Sequence, residues 1–159
     1  MLWQLLFVAV FALNVFLLWS LKNIWYQRLG SLLFAVLPLL TVFLEQPKFE
    51  LDHFWWIVAG VVAVVIGIGI VIWSKIEGKE EFNQKGPYQF VRHPMYLGLV
   101  FVFVGWWWAW SAVYSFYFGM FILALIWLQA YLEEKLVLLP KFGDKYRKYR
   151  SETGMFWIK

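Results

Sequence analysis

The sequence predicts an all-α protein integral to a membrane, folded as five transmembrane helices. Three observations lead there. Of 159 residues, 63% are hydrophobic and 15% charged, against about 25% charged in an average soluble domain. The apolar residues collect into runs near the roughly 20 residues that a bilayer core requires. Thirteen of the 14 basic residues fall in segments that five consecutive spans would place on one side, which is the positive-inside pattern.

The first run, residues 2–21, has no basic segment before it and no small-residue cleavage site after it. It is expected to be a span, not a cleaved signal peptide. The second, 30–44, is short and contains Pro38, where a kink is expected. The third is 54–73. Asp52 is placed to cap its start beside His53, and Ala59, Ala63 and Gly67 form a small-residue stripe for close helix approach. The fourth and fifth, 95–110 and 113–132, are separated only by Ser111-Ala112 and predict a tight helical hairpin. Trp55, Trp56, Trp106 to Trp108 and Trp110 fall at one set of span ends, and Trp19, Trp25, Trp73 and Trp127 at the other. Both sets are expected to act as interfacial anchors.

The charge asymmetry orients the bundle. Lys48 is the single basic residue between spans two and three, beside Glu45, Glu50 and Asp52. The N-terminus is therefore expected outside, and the C-terminus and any site near it in the cytoplasm. The chain reads as one membrane domain, 1–159, with three N-terminal spans over 1–73 and a site-bearing part over 74–159. The absence of cysteine excludes disulfides and thiolate chemistry. His53 and His93 are too far apart to start a metal site. Membrane topology accounts for the basic residues, so nucleic acid is not an expected partner; membrane lipids are.

Two polar segments interrupt the apolar pattern, and the hairpin of spans four and five brings them to one surface. In the first, Gly86-Pro87 signals a turn and Pro94 suits the first turn of span four. Arg92 and His93 stand at that helix start, where free backbone N–H groups favour a carboxylate or phosphate. The second opens with Glu133-Glu134 at the end of span five. Acids are poorly placed at a helix C-terminus, so the pair implies a positively charged partner. Beyond it, Phe142, Tyr146 and Tyr149 share one face and Lys145 and Lys148 another, which predicts an amphipathic helix lying on the membrane.

Gly86-Pro87-Tyr88, Val91-Arg92-His93-Pro94-Met95-Tyr96-Leu97-Gly98, Glu134, and Phe142-Gly143 with Tyr146 and Tyr149 together resemble a known superfamily. It is that of the integral-membrane isoprenylcysteine carboxyl methyltransferases and phospholipid methyltransferases, and the resemblance covers roughly 80–149. Its small microbial members have a comparable number of spans. The resemblance implies an S-adenosylmethionine-dependent methyltransferase whose cofactor site is cytoplasmic, built from the loop before helix four and the C-terminal tail. The lipophilic acceptor would enter from the bilayer. It further implies that Tyr88, His93, Pro94, Met95 and Tyr96 line the cofactor pocket, that Phe82 and Asn83 lie against adenosine, and that Glu134 is the cofactor-binding acid. Arg92 and His93 would then suit the cofactor's carboxylate and Glu134 its ammonium. Glu133, about 100° around the helix, is expected to face elsewhere. An amine acceptor must lose a proton, for which His93 and Glu133 are the candidates.

Two features depart from the isoprenylcysteine enzymes. Ala130 occupies the position of their substrate-binding arginine, and Ser151 to Trp157 replace a basic, proline-containing segment. An NADPH-dependent enzyme resembling sterol reductases shares the Arg-His-Pro and Phe-Gly-x-x-Tyr features but has many more spans. A non-catalytic scaffold on anionic lipid would leave the Gly-Pro-Tyr and Arg-His-Pro cluster without a role.

Overall fold

The computed structural model describes residues 2–19, 33–50, 53–78 and 84–159. Among them the chain is helical, and its only extended pairings are two isolated bridges. Six helices follow in order: α1 Leu2–Trp19, α2 Leu33–Phe43, α3 His53–Glu77, α4 Pro94–Ala109, α5 Val113–Glu133 and α6 Leu139–Glu152. A 3₁₀ turn, Gly86–Gln89, precedes α4, and a π-helical turn, Glu134–Leu138, joins α5 to α6. Asp52, the expected cap of the third span, and Phe82 and Asn83 lie outside the described residues.

Two helical stretches, Phe54–Glu77 and Val113–Glu152, are long and apolar enough to cross a membrane. In the first, an 18-residue window has mean hydropathy 2.7 and only 17% of it is buried. A soluble core helix would bury such a face; here Val61, Val62, Val65, Ile66, Ile68 and Ile72 all lie exposed. Apolar surface of that extent needs lipid around it. The chain is a membrane protein. Helices α1, α2 and α4 are apolar but fall short of that length test among the described residues.

The principal packing is α3 against α4, and it depends on missing side chains. A Cβ on Gly60 would stand 2.6 Å from the Gly105 carbonyl oxygen, and one on Gly67 would stand 2.6 Å from that of Gly98. The four glycines, seven residues apart on each helix, let the two backbones touch. The small-residue stripe expected on this helix is real, but it runs through Gly60, Ala63 and Gly67; Ala59 faces outward.

Helices α1, α2 and α5 close the other side around Phe103, Trp107, Phe118, Ile122 and Ile126. Phe7 meets Phe118 edge-on at 4.7 Å between centroids. Asn14 Nδ2 donates to Gln129 Oε1 at 3.4 Å, a polar link between α1 and α5. Not every tryptophan is an interfacial anchor. Trp107 is fully buried, and its indole N–H donates to the Pro38 carbonyl at 3.0 Å, while Trp106 donates to that of Leu39 at 2.9 Å. Those carbonyls belong to the last turns of α2, and that of Pro38 also accepts from the Thr41 hydroxyl at 2.7 Å.

The expected hairpin is present. Ser111 adopts φ 51°, and the Ala112 N–H bonds Trp107 O at 3.2 Å. The α2–α3 connection is tied to this turn by Phe49 N to Ser111 O at 2.9 Å and Val113 N to Pro47 O at 3.2 Å. The opposite end of the bundle gathers the 3₁₀ turn, the start of α4, the π turn, α6 and the C-terminal tail.

Candidate functional site

Pro94 begins α4. It therefore holds Arg92 and His93 in the non-helical stretch just before the helix, with their side chains against the end of α5. The C-terminal tail fixes the same stretch from the other side. The Arg92 N–H donates to Gly154 O at 2.9 Å and the His93 N–H to Met155 O at 3.2 Å, beside a parallel bridge between Val91 and Gly154.

At the centre is an ion pair. Arg92 Nε lies 2.7 Å from Glu134 Oε1, with side-chain exposures of 7% and 1%. The rest of the guanidinium is also engaged: Nη1 donates to the carbonyls of Thr153 and Arg150, and Nη2 reaches Glu134 Oε2 at 3.5 Å. Arg150 Nε adds a further contact to Glu134 Oε2 at 3.5 Å. The cation that the acidic pair calls for is thus Arg92. Burial alone would push the Glu134 carboxyl up, but hydrogen bonds from His93 and Arg92, with their charge, outweigh it and bring it down to about 2.

His93 stands between the two acids. Its Nε2 is 3.1 Å from Glu134 Oε1 and its Nδ1 is 3.8 Å from Glu133 Oε2. Glu133 therefore does not face away, as its 100° offset on an ideal helix led one to expect. A ring with nitrogens on two edges reaches consecutive carboxylates. Glu133 is the more accessible acid, 37% exposed, and it accepts a hydrogen bond from the Tyr96 hydroxyl. Burial, then the Glu133 charge, raise the Tyr88 phenol above its ordinary value.

The family-implied residues divide accordingly. Tyr88, His93 and Tyr96 surround Glu133, whereas Glu134 is closed into Arg92. Pro94 is buried in the first turn of α4, and Met95 points outward at 38% exposure. Tyr146 and Tyr149 are buried rather than laid on a membrane. The Tyr149 hydroxyl donates to the Tyr88 carbonyl, and Tyr146 lies against Glu134 and Arg92. Their helix turns inward at Gly143, whose φ 53° and ψ −125° suit only glycine.

Sequence reasoning missed Arg150, Thr153 and Phe156. Phe156 packs against His93 with its ring tilted 55°, 6.2 Å between ring centroids. The departure of residues 151–157 from the isoprenylcysteine pattern was the available signal, because this segment is what the Arg92 and His93 backbone docks on. Among the described residues no group of acids and histidines could hold a metal ion.

Residues 75–145 match the family model described as Phospholipid methyltransferase, which bears out the resemblance carried by the motifs. The match runs from the end of α3 through α4, α5 and the π turn into α6, and it supports a membrane methyltransferase. No curated protein and no solved structure matches the chain.

Proposed function

We propose that this protein is an S-adenosylmethionine-dependent methyltransferase acting on a lipophilic acceptor that arrives through the bilayer, with five spans and the polar cluster on the cytoplasmic side. One observation carries the reading: the segment similar to phospholipid methyltransferases folds its polar motifs into a single cluster of Arg92, His93, Glu133 and Glu134, which Arg150 joins from beyond that segment.

The donor set fits the zwitterionic end of such a cofactor. Glu133 offers a partly exposed carboxylate toward an ammonium, and Arg150, 42% exposed, offers a guanidinium toward a carboxylate. Tyr88, Tyr96 and Phe156 supply the surrounding aromatic wall. Arg92 and Glu134 act as the frame that orients His93 and the tail, because each already occupies the other. When bound, the cofactor supplies a methyl group activated on a sulfonium. The chain's part is then to align the acceptor and exclude water. Tyr96 holds Glu133 in place for the ammonium, so where the acceptor is an amine, His93 takes its proton.

Isothermal titration of S-adenosylmethionine into detergent-purified protein tests this. Wild type binds, and Glu133→Gln weakens binding by roughly one to two decades, the effect of losing one charge-assisted hydrogen bond of about 1.5–3 kcal/mol. A folded wild type with no affinity for the cofactor would overturn the proposal. Glu133→Gln that binds like wild type would remove Glu133 from the site.

A further inference from the structure

One cavity lies away from the polar cluster. A groove of about 800 Å³ lies between α3 and α4 at the Lys48 end of the bundle, within the roughly 300–1,000 Å³ of small-molecule sites. Ile57, Val61, Val65, Trp106 and Trp110 form its apolar wall, and Lys48 stands at its rim. Trp106, the first groove residue along α4, stands 13 residues beyond His93, about 20 Å along the helix. The groove is therefore not part of the cluster proposed for methyl transfer.

Lys48 is exposed, and its backbone is pinned to the turn between α4 and α5. Its backbone bridges to Ala112, and the flanking Phe49 N–H and Pro47 carbonyl are both bonded to the α4–α5 turn. Among the described residues no carboxylate pairs with it. It is also the sole basic residue between the second and third apolar runs. An ammonium at the rim of an apolar, membrane-facing slot is complementary to a phosphate with an alkyl chain below it. We infer that this groove binds one glycerophospholipid from the leaflet opposite the cluster, with its phosphate on Lys48 and an acyl chain along Ile57, Val61 and Val65.

Delipidated protein in detergent would be incubated with dioleoylphosphatidylcholine or with dioleoylglycerol, and bound lipid counted by native mass spectrometry after the micelle is stripped. The wild type is expected to keep one phosphatidylcholine and to hold dioleoylglycerol at least fivefold less. Lys48→Ala should lower phosphatidylcholine retention at least fivefold. Val61→Trp, which fills open groove space, should do the same. The melting temperature of each variant without lipid reports its folding, and a lipid-dependent rise in melting temperature should be present in wild type and absent from both variants. Equal retention by wild type and both folded variants would mean annular lipid only and would overturn the inference, as would equal retention of the two lipids. Neither measurement uses the methyl-transfer reaction.

Discussion

Removing Arg92 tests the ion pair on which the cluster is built. Arg92→Met leaves the Glu134 carboxylate at 1% exposure with only His93, Tyr146 and the half-exposed Arg150 beside it. Breaking a buried pair from one side costs about 3–5 kcal/mol, whereas replacing both partners with apolar residues of similar volume is often near neutral. The acid titration gives a consistent scale. Glu134 falls from an ordinary 4.5 to about 2 in the folded protein, a difference worth about 3 kcal/mol. Because the folded value is the lower one, this stability is present above pH 4.5 and is lost as pH falls toward 2.

Equilibrium unfolding in detergent micelles, at pH 7 and along a series down to pH 3, would be measured for wild type, Arg92→Met, Glu134→Leu and the double variant. Arg92→Met should lose about 3–5 kcal/mol at pH 7 and most of the wild type's decline in acid. The double variant should be more stable than the sum of the single losses by about 2 kcal/mol, the coupling expected of residues in one network. The carbonyls of Thr153 and Arg150 lose their donor in either Arg92 variant, so full recovery is not expected. A loss below about 1 kcal/mol for Arg92→Met, or strictly additive singles, would show that the pair does not hold the cluster.

Gly67→Ala should destabilise the α3–α4 contact by about 1–3 kcal/mol through overpacking, because its Cβ meets Gly98 backbone at 2.6 Å. Gly69→Ala, with nothing within 4 Å, should be neutral or stabilising by up to about 1 kcal/mol in the same unfolding assay. Cysteines introduced at Lys79 and Lys145 should label from one side of the membrane and one at Lys48 from the other; labelling of 79 and 145 from opposite sides would dismantle the topology of a single site.

The helices were legible in the sequence because membrane spans announce themselves by composition, and the Ser111-Ala112 hairpin because no longer connection was available. The α3 stripe was legible only in part. Ala59 and Gly60 both satisfy a small-residue pattern, and the choice depends on Gly98 and Gly105, which a reading of α3 alone does not consult. Trp107 was misread for a similar reason: an aromatic near a span end looks like an anchor until the α2 carbonyls it bonds are known. At the site, Arg92, His93 and the two acids were legible as unusual charges beside apolar runs. Their mutual pairing was not. Arg92, His93 and Glu134 had each been assigned to an external ligand of opposite charge and Glu133 to another face, whereas opposite charges close in space also pair with each other.

The geometry of the acids follows from one proline. Pro140 has no N–H to donate, and its ring crowds the carbonyl four residues earlier. The π turn Glu134–Leu138 lies immediately before it, where a wider ring of backbone relieves that crowding. Its cost is a change of register, so α6 does not continue the face of α5. That offset, followed by the reversal at Gly143, turns Tyr146 and Tyr149 from an outward aromatic face into the packing behind Arg92 and Tyr88. The tail beyond Tyr149 then returns beneath Arg92, where Thr153, Gly154 and Met155 offer three consecutive carbonyls to its guanidinium and to the Arg92 and His93 N–H groups. A regular helix through residue 140 would carry the same tyrosines and the same tail elsewhere, and Arg92 would lose every carbonyl partner it has. The irregular turn is therefore what joins the two polar segments into one site, and π turns recur at functional sites for this kind of reason.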